Sequence, residues 1–344
     1  MQEQETPQKK QWHDKYYKLL LLVPAFLLLF SLSYLFIFYS QNGDIMHRDI
    51  SLTGGTSITL YDNLEKIQIE NDLSSKLMDL NIREIYDLIT REQKGITIET
   101  TSDGEETTEI LENYLGYKLT KENSSFEYTS SSLGKSFFNQ LLLAIIYAFT
   151  FMGIVVFFLF GKQKKIKVLI TLLGIISPIL FFIFKVLTIQ QALIFSFLVL
   201  VVNLIIYLKY NVPSLAVIIS AFADILMTLA LVNILGIEMS SVGIIAFVML
   251  IGYSVDTDIL LTNRILKKEG TLNERIFSSF KTGMTMTLTS LVAFLIALII
   301  VSSFSAILTK IFTILVIGLG FDILNTWITN VSLLKWYVKS KNEN

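Results

Sequence analysis

The chain has 344 residues, 53% of them apolar and 17% charged, and a mean hydropathy of +0.60, which excludes an ordinary soluble protein and places it in a bilayer. No cysteine and only four prolines exclude disulfide scaffolds, Cys-ligated zinc or iron–sulfur sites, thiol catalysis and collagenous repeats, while His13 and His47 are too few for a His-based metal centre. A net charge of −1 and a pI near 6.2 supply no surplus of Lys and Arg for nucleic acid, and no cofactor is expected.

Apolar runs of about 20 residues can cross ~30 Å of hydrocarbon as helices. Eight are predicted, at roughly 19–39, 138–160, 166–185, 190–208, 213–235, 240–263, 283–302 and 306–334. The first is too long for a secretory signal, and Tyr39-Ser40-Gln41-Asn42 offers no small-residue cleavage pattern, so an uncleaved anchor is expected. One set of connecting segments holds Lys9, Lys10, Lys15, Lys18, Lys162, Lys164, Lys165, Lys167, Lys209, Arg264, Lys267, Lys268, Arg275, Lys281, Lys335, Lys339 and Lys341. By the positive-inside rule these mark the cytoplasmic side. The expected organisation is a cytoplasmic N-terminus 1–18, a first helix 19–39, an exterior domain 40–136 and a second helix 138–160. An extra helical pair 163–209, a four-helix remainder 210–335 and a cytoplasmic tail 336–344 follow, with the other exterior turns near Thr188, Glu238 and Ser303.

Residues 40–136 carry 18 Asp and Glu against nine Lys and Arg. An acidic face ordinarily serves solubility, and binding of a basic partner is the alternative. Thr56–Tyr61 alternates like a half-buried strand, and Leu64–Leu80 places Leu64, Ile67, Leu73, Leu77 and Leu80 at helical spacing. Strands are expected at Ile82–Ile89 and Ile96–Thr101, with a turn near Lys94-Gly95. A second helix, Glu105–Leu115, should end at Gly116, and Tyr117–Leu119 with Ser125–Thr129 should supply the last strand or hairpin. The order βαββαβ is the ferredoxin-like arrangement. No His–carboxylate pair, phosphate-cradling loop or nucleophile motif falls in this region. Gly54 and Gly55, directly after the first span, are read as permitting a bulge or a close chain approach.

Four carboxylates interrupt the apolar spans: Asp224, Asp256, Asp258 and Asp322. Each costs about 2.5–3.5 kcal/mol at a helix centre on insertion scales, so a partner or a function is expected for them. Asp322 follows Gly318 and Gly320, which allow close helix approach. Asp256 and Arg264 project from similar faces of one helix, whereas Asp256 and Asp258 point about 200° apart. The next span opens with Thr282, Thr285 and Thr289 on one stripe, which either satisfies a carboxylate and a file of water or bonds its own helix backbone. For Asp256 the functional reading is protonation or ion coupling and the other reading is structural pairing.

The run Gly252-Tyr253-Ser254-Val255-Asp256-Thr257-Asp258-Ile259-Leu260-Leu261-Thr262-Asn263-Arg264 resembles the fourth-helix signature of the SecD/SecF family of protein-export membrane proteins, in its archaeal SecF form. Thr53-Gly54-Gly55-Thr56, Val212-Pro213-Ser214-Leu215-Ala216 with Asp224, and Lys281-Thr282-Gly283-Met284-Thr285-Met286-Thr287 agree in order. The resemblance covers about residues 12–160 and 211–335. It implies half of an RND-type transporter: a polytopic α-helical bundle of six core helices, here with two extra, and an α+β ferredoxin-like exterior domain.

The resemblance also implies a non-enzymatic accessory subunit that forms a heterodimer with SecD in the lipid bilayer beside the Sec channel. There it would use the proton gradient to help exported polypeptides leave. Asp256 occupies the carboxylate position associated with proton coupling in the SecD half, and the bacterial SecF Asp falls at Thr257. Three departures stand. No base occurs in Thr285-Met286-Thr287, where the bacterial pattern has Arg, leaving Arg264 as a conjectural replacement. The usual Gly-x-Asp-Phe-x-Gly-Gly-Thr run reads Asp49-Ile50-Ser51-Leu52-Thr53-Gly54-Gly55-Thr56. Finally, 163–209 replaces a short connection. The coupling ion, H⁺ or Na⁺, stays open. Two other classes compete: an RND-type small-molecule exporter subunit, and an intramembrane aspartyl protease, whose spacing Asp256 and Asp322 match only superficially.

Overall fold

The computed structural model describes residues 17–86, 90, 92–266, 270–302 and 305–343. The expectations for Lys9, Lys10, Lys15, His13, Lys267, Lys268, the strand residues 87–89 and the turn at Ser303 fall outside the described residues. Eight helical spans are long and apolar enough to cross a membrane: Tyr17–Asn42, Ser131–Phe160, Lys164–Ile183, Ile189–Tyr210, Val212–Ile234, Ser241–Leu266, Leu272–Val301 and Ile307–Lys341. The chain is a polytopic helical membrane protein with a sheet domain inserted after its first span.

The first span contains α1 (Leu22–Asn42), which Gly43 closes in the left-handed conformation. One helical turn, α2 (Ile50–Thr53), leads into β1 (Gly55–Leu60), α3 (Lys66–Leu73), β2 (Asn81–Tyr86), β3 (Gln93–Thr100), α4 (Gly104–Leu115) and β4 (Ser124–Thr129). The strands form one sheet in the order β2-β3-β1-β4, every pair antiparallel, which is the ferredoxin-like topology. Alternation explains its two faces. Ile58, Leu60, Ile82, Ile96 and Ile98 point to one side and form a core with Ile69, Leu73 and Leu111 of the helices. Arg83, Thr97, Thr59 and Glu99, Ser57 alternate onto the other side.

Several local expectations change. The helix predicted to Leu80 stops at Leu73, because Met78 is held at the end of β3: its carbonyl accepts from Thr100 Oγ1 at 2.5 Å and Thr101 N at 3.2 Å. Leu77 remains in the core all the same. Lys94 and Gly95 lie inside β3, with Gly95 opposite Ile85, because Gln93 is tied to the Leu64 carbonyl at 2.9 Å and the strand starts there. Residues 117–119 are not a strand; Leu119 N donates to Glu112 Oε1 at 2.8 Å and Asn123 Nδ2 to the Lys118 carbonyl at 3.0 Å, which bends the segment into a loop.

Seven longer helices follow: α5 (Ser131–Phe160), α6 (Lys164–Pro178), α7 (Ile189–Tyr210), α8 (Val212–Ile234), α9 (Ser241–Leu266), α10 (Leu272–Val301) and α11 (Ala306–Leu324). The last widens into a π-helical segment, Asn325–Asn330, before α12 (Val331–Glu343). Helices outrun their apolar stretches where caps sit in polar sequence. Thus α5 starts at Ser131 under the Ser130 hydroxyl, and α10 starts at Leu272 under a reciprocal Thr271–Glu274 capping box. The centre of the bundle is α8 and α9, whose apolar windows are 67% and 56% buried against 11% for α10.

The pair α6 and α7 packs at the periphery, on α5 and α8. A hydroxyl file ties it down: Tyr147 Oη lies 3.2 Å from Ser177 Oγ, itself 2.6 Å from Ser196 Oγ. Ser214 Oγ donates to the Val156 carbonyl at 3.3 Å, so the end of α5 and the start of α8 are adjacent.

The sheet domain is bound to the helix ends by backbone as well as side chains. Met239 N donates to the His47 carbonyl at 2.6 Å and Asp49 N to the Met239 carbonyl at 3.0 Å. The Asn233 amide donates to the Ile45 carbonyl at 2.8 Å, and Ser241 N donates to Ser51 Oγ at 2.9 Å. Arg83 bridges Glu99 (2.5 Å) and Glu238 (2.9 Å), and Lys310 of α11 reaches Asp49 at 3.0 Å. Burial pushes the Glu99 carboxyl above its ordinary value, against the opposing pull of Arg83 and Lys310.

Gly54 and Gly55 serve close approach at this junction. A Cβ on Gly54, at φ 87°, would lie 2.4 Å from Ser131 Cα, and one on Gly55 would lie 2.3 Å from the Thr100 carbonyl.

Candidate functional site

The spans bring three carboxylates into one buried polar cluster. Asp224 comes from α8, Asp258 from α9 and Asp322 from α11, with exposures of 0%, 0% and 1%. Gly318 lies at the close approach of these helices: a Cβ there would sit 2.3 Å from Leu250 Cδ2 of α9, so a larger residue would have to displace that buried leucine side chain.

Side chains of the π-helical segment complete the cluster. Asn325 Nδ2 donates to Asp224 Oδ1 at 2.7 Å, and Ser254 Oγ donates to Asp224 Oδ2 at 2.6 Å. Asn330 Nδ2 donates to Asp258 Oδ1 at 2.7 Å. Thr326 Oγ1 lies 2.9 Å from Asp258 Oδ1 and 3.1 Å from Asp322 Oδ1. The wider π turn keeps Asn325, Thr326, Thr329 and Asn330 all buried, a common use of such turns at functional sites.

Among the described residues no Lys, Arg or His forms an ion pair with these three carboxylates. Isolated buried anions are costly, so the cluster is electrostatically complete only with a proton or a cation. Hydrogen counting points the same way. The Thr326 hydroxyl has one hydrogen and stands between two carboxyl oxygens, so a second proton is needed for both contacts to be hydrogen bonds. Asp258 Oδ2 and Asn330 Oδ1 are buried without a partner among the described residues.

Asp256 lies elsewhere. It is exposed on the opposite face of α9 from Asp258, as the 200° separation requires, and lines a groove of about 410 Å³ with Tyr253, Thr285, Thr287 and Thr289. The wall of that groove touches the cluster, because Thr287 Oγ1 donates to Asp322 Oδ2 at 3.4 Å. Thr285 and Thr289 bond backbone carbonyls of their own helix, each at 2.7 Å. Thr282 also bonds its own helix, at the Ser278 carbonyl, and accepts from Arg264 at 3.0 Å. Arg264 therefore reaches Ser278 and Thr282 at the start of α10 and is not paired with Asp256. Gly54 and Gly55 stand apart, at the sheet–helix junction.

Sequence reasoning that followed charge alone missed Ser254, Thr287, Asn325, Thr326 and Asn330. The spacing Asp322, Asn325, Thr326, Thr329, Asn330 is a polar stripe at i, i+3, i+4, i+7 and i+8 within an apolar span, and that signal was present.

The family model described as "Protein export membrane protein SecD/SecF, C-terminal" matches residues 186–340. A protein-export membrane protein SecF of Methanocaldococcus jannaschii is 33% identical over 94% of this chain and 96% of its own length. A SecF of Haloferax volcanii is 48% identical over 37% of this chain and 44% of its own. Among solved structures, SecDF from Thermus thermophilus, a translocon-associated membrane protein, superposes with a TM-score of 0.58 at 15% identity, covering 95% of this chain and 38% of that one. At that identity the likeness speaks for the fold.

Proposed function

Because the chain belongs to the SecF family of protein-export membrane proteins, we propose that it is the SecF half of a SecD–SecF heterodimer. In this reading it promotes release of exported polypeptides from the Sec channel and couples that work to proton movement. It is a non-enzymatic accessory role in the cell membrane. Both termini and the basic connections face the cytoplasm, and the acidic sheet domain faces outward. The open groove around Asp256 faces the partner half, and Asp224, Asp258 and Asp322 hold the proton behind it.

The observation that carries coupling is the three-carboxylate cluster with no cation partner among the described residues, touched by Thr287 from an open groove. A proton arriving beside Asp256 passes the Thr287 hydroxyl to Asp322 and is shared through Thr326 with Asp258. Its arrival neutralises one of the mutually repelling charges and lets α8, α9 and α11 close. Its departure separates them, and the two packings are the states that the proton gradient biases.

The test is export in the native host, with SecD present, by Asp256→Asn, Asp258→Asn and Thr326→Val variants. Each carboxylate variant should reduce export towards the level without the chain. Thr326→Val, which keeps shape and removes the shared hydroxyl, should flatten the dependence on external pH. Unchanged export by all three at every potential and pH would overturn coupling, and failure to copurify with SecD would overturn the heterodimer.

A further inference from the structure

The row of side chains that crosses the sheet from Ile82 through Ile98 and Ile58 continues onto Phe126 of β4. The first three are 2%, 0% and 0% exposed, whereas Phe126 is 45% exposed. Tyr128, two residues on and therefore on the same face, is 58% exposed. Thus the apolar face of the sheet runs one strand beyond the cover that α3 and α4 provide. That last strand is also the sheet's edge. Edge strands present unpaired N–H and C=O groups, and proteins ordinarily blunt them with Pro, Lys or bulges. Within β4, Ser124-Ser125-Phe126-Glu127-Tyr128-Thr129, there is no Pro, no Lys and no register shift against β1.

Between this edge and α4 runs a groove of about 630 Å³, floored by Phe126 and Tyr128 and lined by Asp103, Glu105, Glu109, Glu112 and Glu127. No Lys or Arg lines it among the described residues. A helix beside an open strand edge is the geometry that receives an added strand, with main-chain bonds for affinity and alternate side chains for selection. The carboxylates select the occupant. A second copy would set Glu127 and the Glu105–Glu109–Glu112 face against their own like charges, which disfavours edge-to-edge pairing of this domain with itself.

We propose that β4 is a docking edge for an extended, cationic segment of an unfolded polypeptide, which adds to the sheet as a fifth strand and lays apolar side chains over Phe126 and Tyr128. This rests on the export reading above and gives its cargo a chemistry: Lys- or Arg-bearing, uncollapsed chain, without a fixed sequence. Six residues of β4 present roughly 20 Å of edge, enough for a peptide of that length.

The test uses the full chain in nanodiscs and a fluorescein-labelled nine-residue peptide of alternating Lys and Val, acetylated and amidated, followed by fluorescence anisotropy. Methylating alternate backbone nitrogens of the peptide, a change that leaves the protein untouched, should weaken binding at least tenfold, as should replacing its Lys by Glu. The double variants Phe126→Ala/Tyr128→Ala and Glu105→Lys/Glu109→Lys should do the same. Equal binding by the methylated peptide overturns strand addition, and equal binding by the Glu peptide overturns the charge selection. A concentration-dependent dimer that excludes the peptide assigns the edge to a second copy and also overturns the proposal. The export reading is judged separately, because export that proceeds normally without this chain would remove it while leaving the peptide measurement unchanged.

Discussion

Asp256 and Asp258 stand two residues apart in one helix, yet one opens to a groove and the other is sealed. Helix phase alone separates them. Which of the two faces inward cannot be read from apolar periodicity, because lipid and protein core both accept apolar residues and a membrane helix carries little amphipathic contrast. The polar partners would have helped: Ser254 and Asp258 share the face that meets Asn325 and Thr326, and their spacing of four shows this. Outside the membrane, Glu99 is the informative residue. Burial raises its carboxyl above the ordinary value, with Arg83 and Lys310 opposing the rise and Glu238 and Asp49 adding to it. The folded junction therefore favours the protonated form. That contribution is complete below the unfolded value near 4.5 and is lost as pH rises through the higher folded value. Glu99→Gln should accordingly remove one component of the fall in thermal stability with rising pH, read as the difference between wild-type and variant melting curves in detergent from acid to neutral pH. Curves that run parallel across that range would refute the assignment.

At the scale of elements, the eight spans and the βαββαβ order were legible because the signals were strong: apolar runs of bilayer length, period-two strands, and Gly116 closing α4 at φ 76°. Local ends were less so, since tertiary bonds decided them. Met78 is captured by the end of β3 and truncates α3, and Gln93 starts β3 early, neither of which leaves a trace in periodicity. The crossing of the β1 lead-in over the start of α5 is a tight backbone-to-backbone contact of this kind. Gly54 packs against Ser131, and a Cβ on Gly134 would lie 2.7 Å from Gly54 N. Gly54→Ala meets both this backbone clash and a φ that is nearly glycine-only, worth about 1–3 kcal/mol of strain. It should loosen the sheet domain from α5 and accelerate its limited proteolysis in the folded protein, while the membrane helices stay protected. Unchanged cleavage would show that the crossing tolerates a side chain.

The whole molecule divides into a central pair, α8 and α9, and helices arranged around it. The pair α6 and α7 lies outside, and the adjacency of Val156 and Ser214 means that the chain can pass from α5 to α8 without it. Replacing 162–210 by a short Gly/Ser linker should leave a folded protein that copurifies with SecD as well as the full chain does under the proposed heterodimer, assayed together with a monodisperse elution profile. Aggregation of the shortened chain would instead assign the pair a structural duty. The central pair has a further consequence through the loop that joins its two helices. Asn233 and Met239 are hydrogen-bonded to the strand-like link at Ile45–Asp49, while Asp224 and Asp258 sit deeper in the same helices. The arms from carboxylate to loop are roughly 14 Å along α8 and 26 Å along α9. A tilt of about 5° at the cluster would move the loop by roughly 1–2 Å over arms of that length. Under the proposed coupling, hydrogen bonds rather than yielding side-chain contacts would deliver that stroke to the sheet domain, and the helix pair would act as a crank whose pivot is the charge state of three aspartates.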